Sequence, residues 1–202
     1  MKIPAKKIKR NLPASTIYPY RNTEIGNGTR IHPSSIVGFP NRDPTFFSKK
    51  SERIVHFGRN CVVYPWSLIY EGASIGAGVE IHERCTVGSC TTIGDKTMIL
   101  YGAQVHDNVS IGKRCIVAGF IADNCIVGDG SSVFGALIHR YKNPGRDRWD
   151  ETDEPGPVLG KNVVVAWGAV IIGRVRIGDG AWISPNEVIT EDVPAGANYA
   201  TD

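Results

Sequence analysis

The chain has 202 residues, of which 42% are hydrophobic and 21% are charged, and its formal net charge is +3. This composition is typical of one folded domain with a buried core and argues against disorder. The net charge is too small to indicate a nucleic-acid partner, and no stretch is long enough to predict a membrane span. No apolar run follows the basic start, so no signal peptide is expected.

The first part of the chain changes character twice. Residues 1–24 show no periodic pattern and are predicted to form an arm or a small cap. Ile25, Ile31 and Val37 then begin a pattern in which an aliphatic residue returns at every sixth position. Residues 38–53, rich in proline, lysine and arginine, interrupt this pattern and are predicted to form a loop.

The main coils, predicted over residues 54–139, carry the clearest signal. Their apolar residues lie six positions apart: Phe57, Val63, Ile69, Ile75, Ile81, Val87, Ile93, Ile99, Val105, Ile111 and Val117. A helix repeats near 3.6 residues and a half-buried strand repeats every two, so neither alone explains a step of six. Very short strands joined by tight corners do, with each aliphatic side chain pointing inward. The pattern therefore predicts a β-solenoid whose stacked turns form the core.

The repeat slips once and is interrupted once. Ile121 follows Val117 after only four residues, which indicates a bulge or a shortened side. If the step of six continued from Ile121, residue 139 would point inward, and that residue is His139.

A polar segment over residues 140–157 is predicted to be an inserted loop. The final coils are predicted over residues 158–193. Residues 194–202 are predicted to be a tail, because Pro194 and Gly196 stop the coil.

The cysteines follow the same repeat. Four of the five fall at a small inward position two residues before an aliphatic one: Cys61, Cys85, Cys115 and Cys125. This placement favours core filler over redox or metal chemistry, and the sequence has no CxxC pair to suggest a zinc knuckle. Reduced, buried thiols favour a cytoplasmic protein. Cys90 lies off this position.

The segment VLGKNVVVAWGAVIIGRVRIGDGAWISPNEVITEDVPAGA resembles the closing segment of hexapeptide-repeat acyltransferases, and the repeats extend the likeness over about residues 55–196. The resemblance implies an all-β, left-handed parallel β-helix with three hexapeptides per coil. It also implies a homotrimer with active sites between subunits, an acyl-CoA donor, here acetyl-CoA, and no metal. The stretch ILYGAQVHDNVSIG is similar to members that N-acylate nucleotide-linked amino sugars, so we expect a small acceptor such as a sugar or nucleotide-linked sugar.

Acyl transfer needs a base, and histidine suits this role because its pKa lies near neutrality. His139 is the first candidate, since GALIHRYKNP resembles the Asn-His-Arg region of xenobiotic acetyltransferases, with Ile138 in place of the asparagine. The alternative is that His139 only marks the end of a coil. His106 is the second candidate, at a corner after an inward valine, where Asp107 and Asn108 would orient it. The alternative is a solvated corner histidine.

Acceptor contacts are expected from the inserted loop and from one more corner. Tyr141, Asn143 and Arg146 form an aromatic and basic mixture that suits a phosphorylated or nucleotide-linked sugar, and equally a subunit contact. His82 has the same corner placement as His106 but is expected on an adjacent coil at a different corner. The two histidines would then converge only across a subunit interface.

Donor contacts are predicted around the AWGAVIIG segment. The predicted residues are Trp167, Gly168, Gly173, Arg174, Ala181 and Pro185. Gly168 and Gly173 would permit close approach of a pantetheine arm, and Ala181 and Pro185 are expected one coil further along the same edge. Trp167 would stack on a ligand ring or cap the coil, and Arg174 would meet a phosphate or remain surface charge.

Two other functions compete with acyl transfer. A γ-class carbonic anhydrase-like metalloenzyme uses the same solenoid but needs three metal-binding histidines, two of them five positions apart, and no His-x4-His occurs here. A non-catalytic solenoid that acts as a scaffold for a partner is the third alternative.

Overall fold

The computed structural model of the chain describes residues 22–40, 53–140 and 155–200. In these residues the chain forms 25 short strands and no helix, so nothing in the described part is a helix able to cross a membrane. The predicted acceptor residues Tyr141, Asn143 and Arg146, and nearly all of the predicted N-terminal arm, lie outside the described residues.

The strands, numbered along the chain, form three parallel sheets. Sheet A contains β1 (Thr23–Ile25), β4 (Val55–Phe57), β7 (Ser74–Ile75), β10 (Thr92–Ile93), β13 (Ser110–Ile111), β16 (Ile126–Val127), β19 (Val158–Leu159) and β22 (Arg176–Ile177). Sheet B contains β2 (Arg30–Ile31), β5 (Val62–Val63), β8 (Glu80–Ile81), β11 (Met98–Ile99), β14 (Ile116–Val117), β17 (Ser132–Val133), β20 (Val164–Val165), β23 (Trp182–Ile183) and β25 (Asn198–Tyr199). Sheet C contains β3 (Ile36–Phe39), β6 (Leu68–Tyr70), β9 (Thr86–Val87), β12 (Gln104–Val105), β15 (Phe120–Ile121), β18 (Ala136–Ile138), β21 (Val170–Ile172) and β24 (Val188–Ile189).

One strand from each sheet makes one coil, and each coil lies in register on the next. Ile75 pairs with Ile93, which pairs with Ile111, so the inward aliphatic side chains form columns through the core. These side chains are almost fully buried, as are the four cysteines at the small inward positions. The predicted left-handed parallel β-helix is confirmed. The turns between sheets are named below as the A–B, B–C and C–A corners.

Most of the full corners use a left-handed backbone conformation three residues after the inward aliphatic. Glycine occupies this position at Gly78 and Gly102, and asparagine occupies it at Asn60 and Asn108. These residue types tolerate positive φ because glycine lacks a Cβ and the asparagine side chain can bond locally. The repeat of six therefore combines one inward aliphatic with one left-handed corner residue.

Two B–C corners are shorter than the others by two residues. Ile121 lies four residues after Val117, which confirms the predicted shortened side, and Leu137 likewise lies four residues after Val133. The second shortening was not predicted, so the expectation that residue 139 occupies the inward aliphatic position was wrong. Leu137 occupies that position, with no exposed surface, and His139 lies two residues beyond it.

The two ends of the solenoid extend further than the predicted boundaries. Ile25, Ile31 and Val37 align with Phe57, Val63 and Ile69, so the first short run is a coil of the same three sheets. Near the other end, Asn198 and Tyr199 pair with Trp182 and Ile183. The chain therefore turns one more corner after Pro194 and adds β25 to sheet B, within the range predicted as a tail.

Candidate active site at the C–A corner

The C–A corner brings both candidate bases to one edge of the solenoid. His106 follows β12, and His139 follows β18 two coils later. Two strand spacings separate these coils by about 10 Å along the axis. The coil between them contributes Asp123, which follows β15 at the position equivalent to His139. The corner thus presents an imidazole, a carboxylate and a second imidazole on three successive coils.

His106 is held between an aromatic ring and a carboxylate. Its ring centroid lies 4.7 Å from that of Phe120, and the two planes are tilted by 53°. Its Nδ1 lies 3.8 Å from Oδ1 of Asp123, and its side chain is 31% exposed. That separation is longer than a hydrogen bond, so the carboxylate acts on the ring as a nearby charge. Because Nδ1 is turned to the carboxylate, Nε2 is the nitrogen that a substrate can reach.

Asp123 is fixed by the backbone of the preceding coil. Its Oδ1 accepts the N–H of Asp107 at 2.8 Å, and Oδ1 of Asp107 accepts the N–H of Ser89 at 2.6 Å. The same contact occurs at the A–B corner, where Asp95 accepts the N–H of Ala77. This repeated hydrogen bond from a backbone N–H to an aspartate on the next coil fixes the position of the Asp123 carboxylate independently of His106. Asp107 was expected to orient His106, but its Oδ1 is directed to Ser89, and Asp123 is the carboxylate next to the ring.

His139 is more enclosed than His106. It is 3% exposed, and only Arg140 separates it from the segment that lies outside the described residues. The next residue, Arg140, donates from Nη2 to the carbonyl oxygen of Thr190 at 3.0 Å. The Arg140 side chain also covers the α-carbon of Gly173, where an added Cβ would meet its Cγ at 2.9 Å. A ligand approaching Gly173 from this side would therefore meet Arg140 first.

His82 lies at the B–C corner, across sheet C from His106, which agrees with the expected separation of the two histidines. Its ring centroid is 5.0 Å from that of Tyr64, and its Nε2 is 3.6 Å from Oε2 of Glu80. Within one chain, His82 and His106 do not share a site. The role of His82 in binding the acceptor substrate stays a prediction, and it requires a neighbouring subunit.

The predicted donor residues divide among three corners. Trp167, Gly168 and Pro185 share the B–C corner on adjacent coils, and Trp167 is 62% exposed with its ring 5.3 Å from that of Phe134. Gly168 has a φ of 75°, in the left-handed region that favours glycine, and a Cβ there would also meet the side chain of Asn186, so the corner itself explains this glycine.

Gly173 and Arg174 lie at the C–A corner instead. Ala181 was expected on the edge of Pro185, but it is buried at the A–B corner, because it precedes β23 whereas Pro185 follows it. The expected single edge of donor residues was therefore wrong in its placement of Ala181. Trp167, Gly168 and Pro185 are the predicted donor residues that lie together, at the B–C corner.

Burial keeps three of the inward thiols, those of Cys85, Cys115 and Cys125, in the protonated form at neutral pH. Burial raises the pKa of the Cys85 thiol to about 11 and that of Cys125 to about 12, and it raises the pKa of Cys115 as well. A protonated thiol is a weak nucleophile and a poor metal ligand. Across the described ranges, no group of three or more His, Cys, Asp or Glu residues is placed to hold a metal ion.

Known proteins resemble this chain over much of its length. No protein-family model matches it. It is 29% identical over 198 residues to the bifunctional protein GlmU of Thermotoga sp. (strain RQ2), a match covering 91% of this chain and 40% of that protein. It is 32% identical over 120 residues to GlmU of Rhizobium rhizogenes, covering 57% of this chain and 26% of the relative.

A third relative is named for its chemistry. The chain is 26% identical over 98 residues to a serine acetyltransferase of Staphylococcus aureus (strain Mu50), covering 46% of this chain and 43% of that protein. A solved Arabidopsis UDP-N-acetylglucosamine acyltransferase aligns over 91% of this chain and 69% of its own, with 16% identity and a TM-score of 0.49. The chain thus spans about 40% of the length of the first of these relatives. The similarity to GlmU and to a serine acetyltransferase confirms the resemblance to hexapeptide-repeat acyltransferases.

Proposed function

We propose that the protein transfers an acyl group, an acetyl group in the simplest case, from an acyl-coenzyme A thioester to a hydroxyl or amine of a small acceptor. A sugar or nucleotide-linked sugar is the acceptor class that we favour. The observation that carries the proposal is the partly exposed His106 ring, with Nδ1 3.8 Å from a carboxylate that the backbone holds in place. The acetyltransferase names among the relatives support the same chemistry.

The reaction needs a proton acceptor at the nucleophile. We assign this role to Nε2 of His106. It removes the proton from the hydroxyl or amine of the substrate as the new oxygen–carbon or nitrogen–carbon bond forms. The tetrahedral intermediate then breaks its carbon–sulfur bond, and the thiolate of coenzyme A leaves with the proton returned by His106. Asp123 stabilises the imidazolium formed in the first step. His139 is the alternative base, and its enclosure makes it the second choice.

We also propose that the protein works as a homotrimer in the cytoplasm. Large aromatic side chains project from the B–C corner, with Trp66 63% exposed and Tyr101 75% exposed. Exposed aromatic residues of this size favour a protein interface or a bound ligand. Closed three-fold packing would bring the B–C corner of one chain next to a neighbouring chain. The predicted coenzyme-binding residues Trp167, Gly168 and Pro185 could then complete a site on that neighbour. Light scattering that gives a monomer at micromolar concentration would contradict this assembly.

The function is tested by incubating the purified protein with acetyl-coenzyme A and a panel of amino sugars and nucleotide sugars. Mass spectrometry should detect an acceptor that has gained one acetyl group. Thermal shifts with acetyl-coenzyme A and with zinc separate the alternatives, since a ligand that binds only the native state raises the melting temperature. Stabilisation by acetyl-coenzyme A supports the proposal, stabilisation by zinc alone supports a metalloenzyme, and stabilisation by neither supports a scaffold.

A further inference from the structure

The residues directly above and below His106 at the C–A corner are too small to hold its ring. The strand register places Gly88 at the equivalent position on the preceding coil and Ala122 on the following coil. Neither residue has a side chain that can enclose an imidazole. A Cβ added at Gly88 would itself collide with the backbone of His106. The orientation of the His106 ring must therefore come from residues that lie beside this column.

Hydrogen bonds fix the backbone of His106 but not its side chain. The N–H of His106 donates to the carbonyl oxygen of Ile121 at 2.9 Å, and its own carbonyl oxygen accepts Oγ1 of the buried Thr91 at 2.7 Å. The χ1 and χ2 torsions between this backbone and the imidazole are not restricted by either bond. A general base gains from exact placement only when these torsions are fixed as well.

The neighbouring carboxylate cannot set these torsions by itself. Nδ1 of His106 lies 3.8 Å from Oδ1 of Asp123, which is longer than a hydrogen bond and so imposes no direction on the ring. The same Oδ1 already accepts the N–H of Asp107. The attraction between charges varies slowly with distance, so it leaves the imidazole free to turn.

Phe120 supplies the contact that packs against the imidazole. It points outward from β15, in register with Gln104, and its ring centroid lies 4.7 Å from that of His106 with the planes tilted by 53°. Aromatic rings at this separation attract each other in such tilted arrangements. The backbone around Phe120 is held on both sides, since its N–H donates to Gly135 at 3.2 Å and the preceding carbonyl, of Gly119, accepts from Gln104 at 3.1 Å. The phenyl ring is therefore a fixed surface beside the imidazole.

We propose that Phe120 is a positioning residue for the general base. It holds the His106 ring in the orientation in which Nδ1 faces Asp123 and Nε2 is open to the substrate. The effect on rate rests on the proposed acyl transfer, whereas the orientation of the ring can be measured without it. Because Phe120 acts on the base and not on the substrate, its loss should lower kcat and leave KM nearly unchanged.

The orientation is tested by NMR on the folded full-length chain. In the unmodified protein, the three-bond couplings across χ1 of His106 should report one rotamer. Phe120→Ala should average these couplings over several rotamers, and Phe120→Tyr, which keeps the ring, should preserve the single rotamer. A single His106 rotamer in Phe120→Ala would overturn the proposal, with or without any measured activity.

The matched variant for both tests is Phe39→Ala. It removes another partly buried ring from sheet C, one that lies 5.6 Å from the ring of Tyr70. A general loss of packing would affect the two alanine variants alike. Only Phe120→Ala should change the couplings of His106.

The effect on the reaction is tested by steady-state kinetics with acetyl-coenzyme A and an acceptor from the sugar panel. Phe120→Ala should lower kcat by about tenfold, because a small displacement of a catalytic group is costly. Phe120→Tyr and Phe39→Ala should keep most of the activity. An unchanged kcat in Phe120→Ala, or a loss that appears only in KM, would overturn the positioning role. Absence of transfer by the unmodified protein would refute the proposed function alone, and the couplings would still decide the orientation.

Discussion

The C–A and B–C corners are built by the same coils but carry opposite side-chain chemistry. The C–A corner presents His106, Asp107, Asp123 and His139 on three successive coils. The B–C corner presents mainly aromatic groups, Tyr64, Trp66, Tyr101 and Trp167. The backbone supports both in the same way, since the N–H of His82 and that of His106 each donate to the next coil at 2.8 and 2.9 Å.

This comparison separates what the scaffold provides from what the corner residues provide. The coils fix where a corner residue lies, but they do not decide whether that corner is acidic, basic or aromatic. The carboxylates of the C–A corner are tied to backbone N–H groups, whereas the exposed rings of the B–C corner project outward. We therefore assign proton transfer to the C–A corner and surface recognition to the B–C corner.

The largest expected effect comes from removing the base at the C–A corner. His106→Ala should lower turnover by about 10²–10⁴-fold, because a positioned general base contributes that much. Binding of acetyl-coenzyme A should remain nearly unchanged by calorimetry. The matched variant is His82→Ala at the B–C corner, which should lower turnover less. A larger loss in His82→Ala or His139→Ala, measured as single-turnover rates, would move the base away from His106.

A second prediction concerns the shortened B–C corner. Gly119→Ala should lower the free energy of unfolding by about 2–4 kcal/mol, since overpacking against backbone cannot be relieved by side-chain rotation. The added Cβ would collide with the carbonyl oxygen of Gly135.

The matched variant is Gly102→Ala at a full B–C corner, where an added Cβ meets nothing within 4 Å but φ is 77°. Its cost should be about 1–2 kcal/mol, from the left-handed conformation alone. Equal losses in the two variants, measured by urea denaturation, would show that the shortened corner is not tightly packed.

A third prediction separates the two roles of Asp123. Asp123→Asn keeps an oxygen that can accept the N–H of Asp107, so unfolding should change little. Loss of the negative charge beside His106 should lower turnover by about tenfold, which corresponds to about 1.4 kcal/mol. Asp123→Ala should lose both activity and about 1 kcal/mol of stability, because the backbone hydrogen bond is also removed. Full activity in Asp123→Asn would assign this carboxylate to structure alone.

The smallest expected effect is the dependence of stability on alkaline pH. Burial raises the pKa of Cys85 from about 9 to about 11 and that of Cys125 to about 12. From about pH 9 up to these raised pKa values, the thiols of the unfolded chain lose their protons whereas those of the folded chain keep them. Stability contributed by these thiols is therefore complete below pH 9 and falls as the pH rises. Cys85→Ala should show a shallower fall in denaturation midpoint than the unmodified chain above pH 9, and parallel curves would contradict this.

The fold could be predicted from the sequence because each coil repeats the same requirement. The main inward position of each hexapeptide is apolar, because the core exists only between stacked coils, so the step of six is visible from Phe57 onward. The slip at Ile121 was visible for the same reason. The second shortened corner was missed because His139 lies six residues after Val133, although the strand register pairs Leu137, and not His139, with Ile121.

The candidate site was less predictable because it depends on which corners coincide. Asp123 was missed, although the sequences at residues 106–108 and 122–124 both end in Asp-Asn and lie sixteen residues apart. Recognising them as equivalent requires the register across the shortened corner, which pairs Val105 with Ile121. Ala181 was predicted on the wrong corner for a similar reason, since it precedes β23 in the structure whereas Pro185 follows it.

A crystal structure of the protein with bound acetyl-coenzyme A would show at which corner the acyl group is transferred. We expect the thioester carbonyl at a C–A corner, with room between it and Nε2 of His106 for the attacking atom of the acceptor substrate. The pantetheine arm is expected to pass along an edge toward this corner, with the B–C corner of a neighbouring chain beside it. A thioester bound beside His82, with no reactive group near His106, would contradict the assignment of the chemistry to the C–A corner.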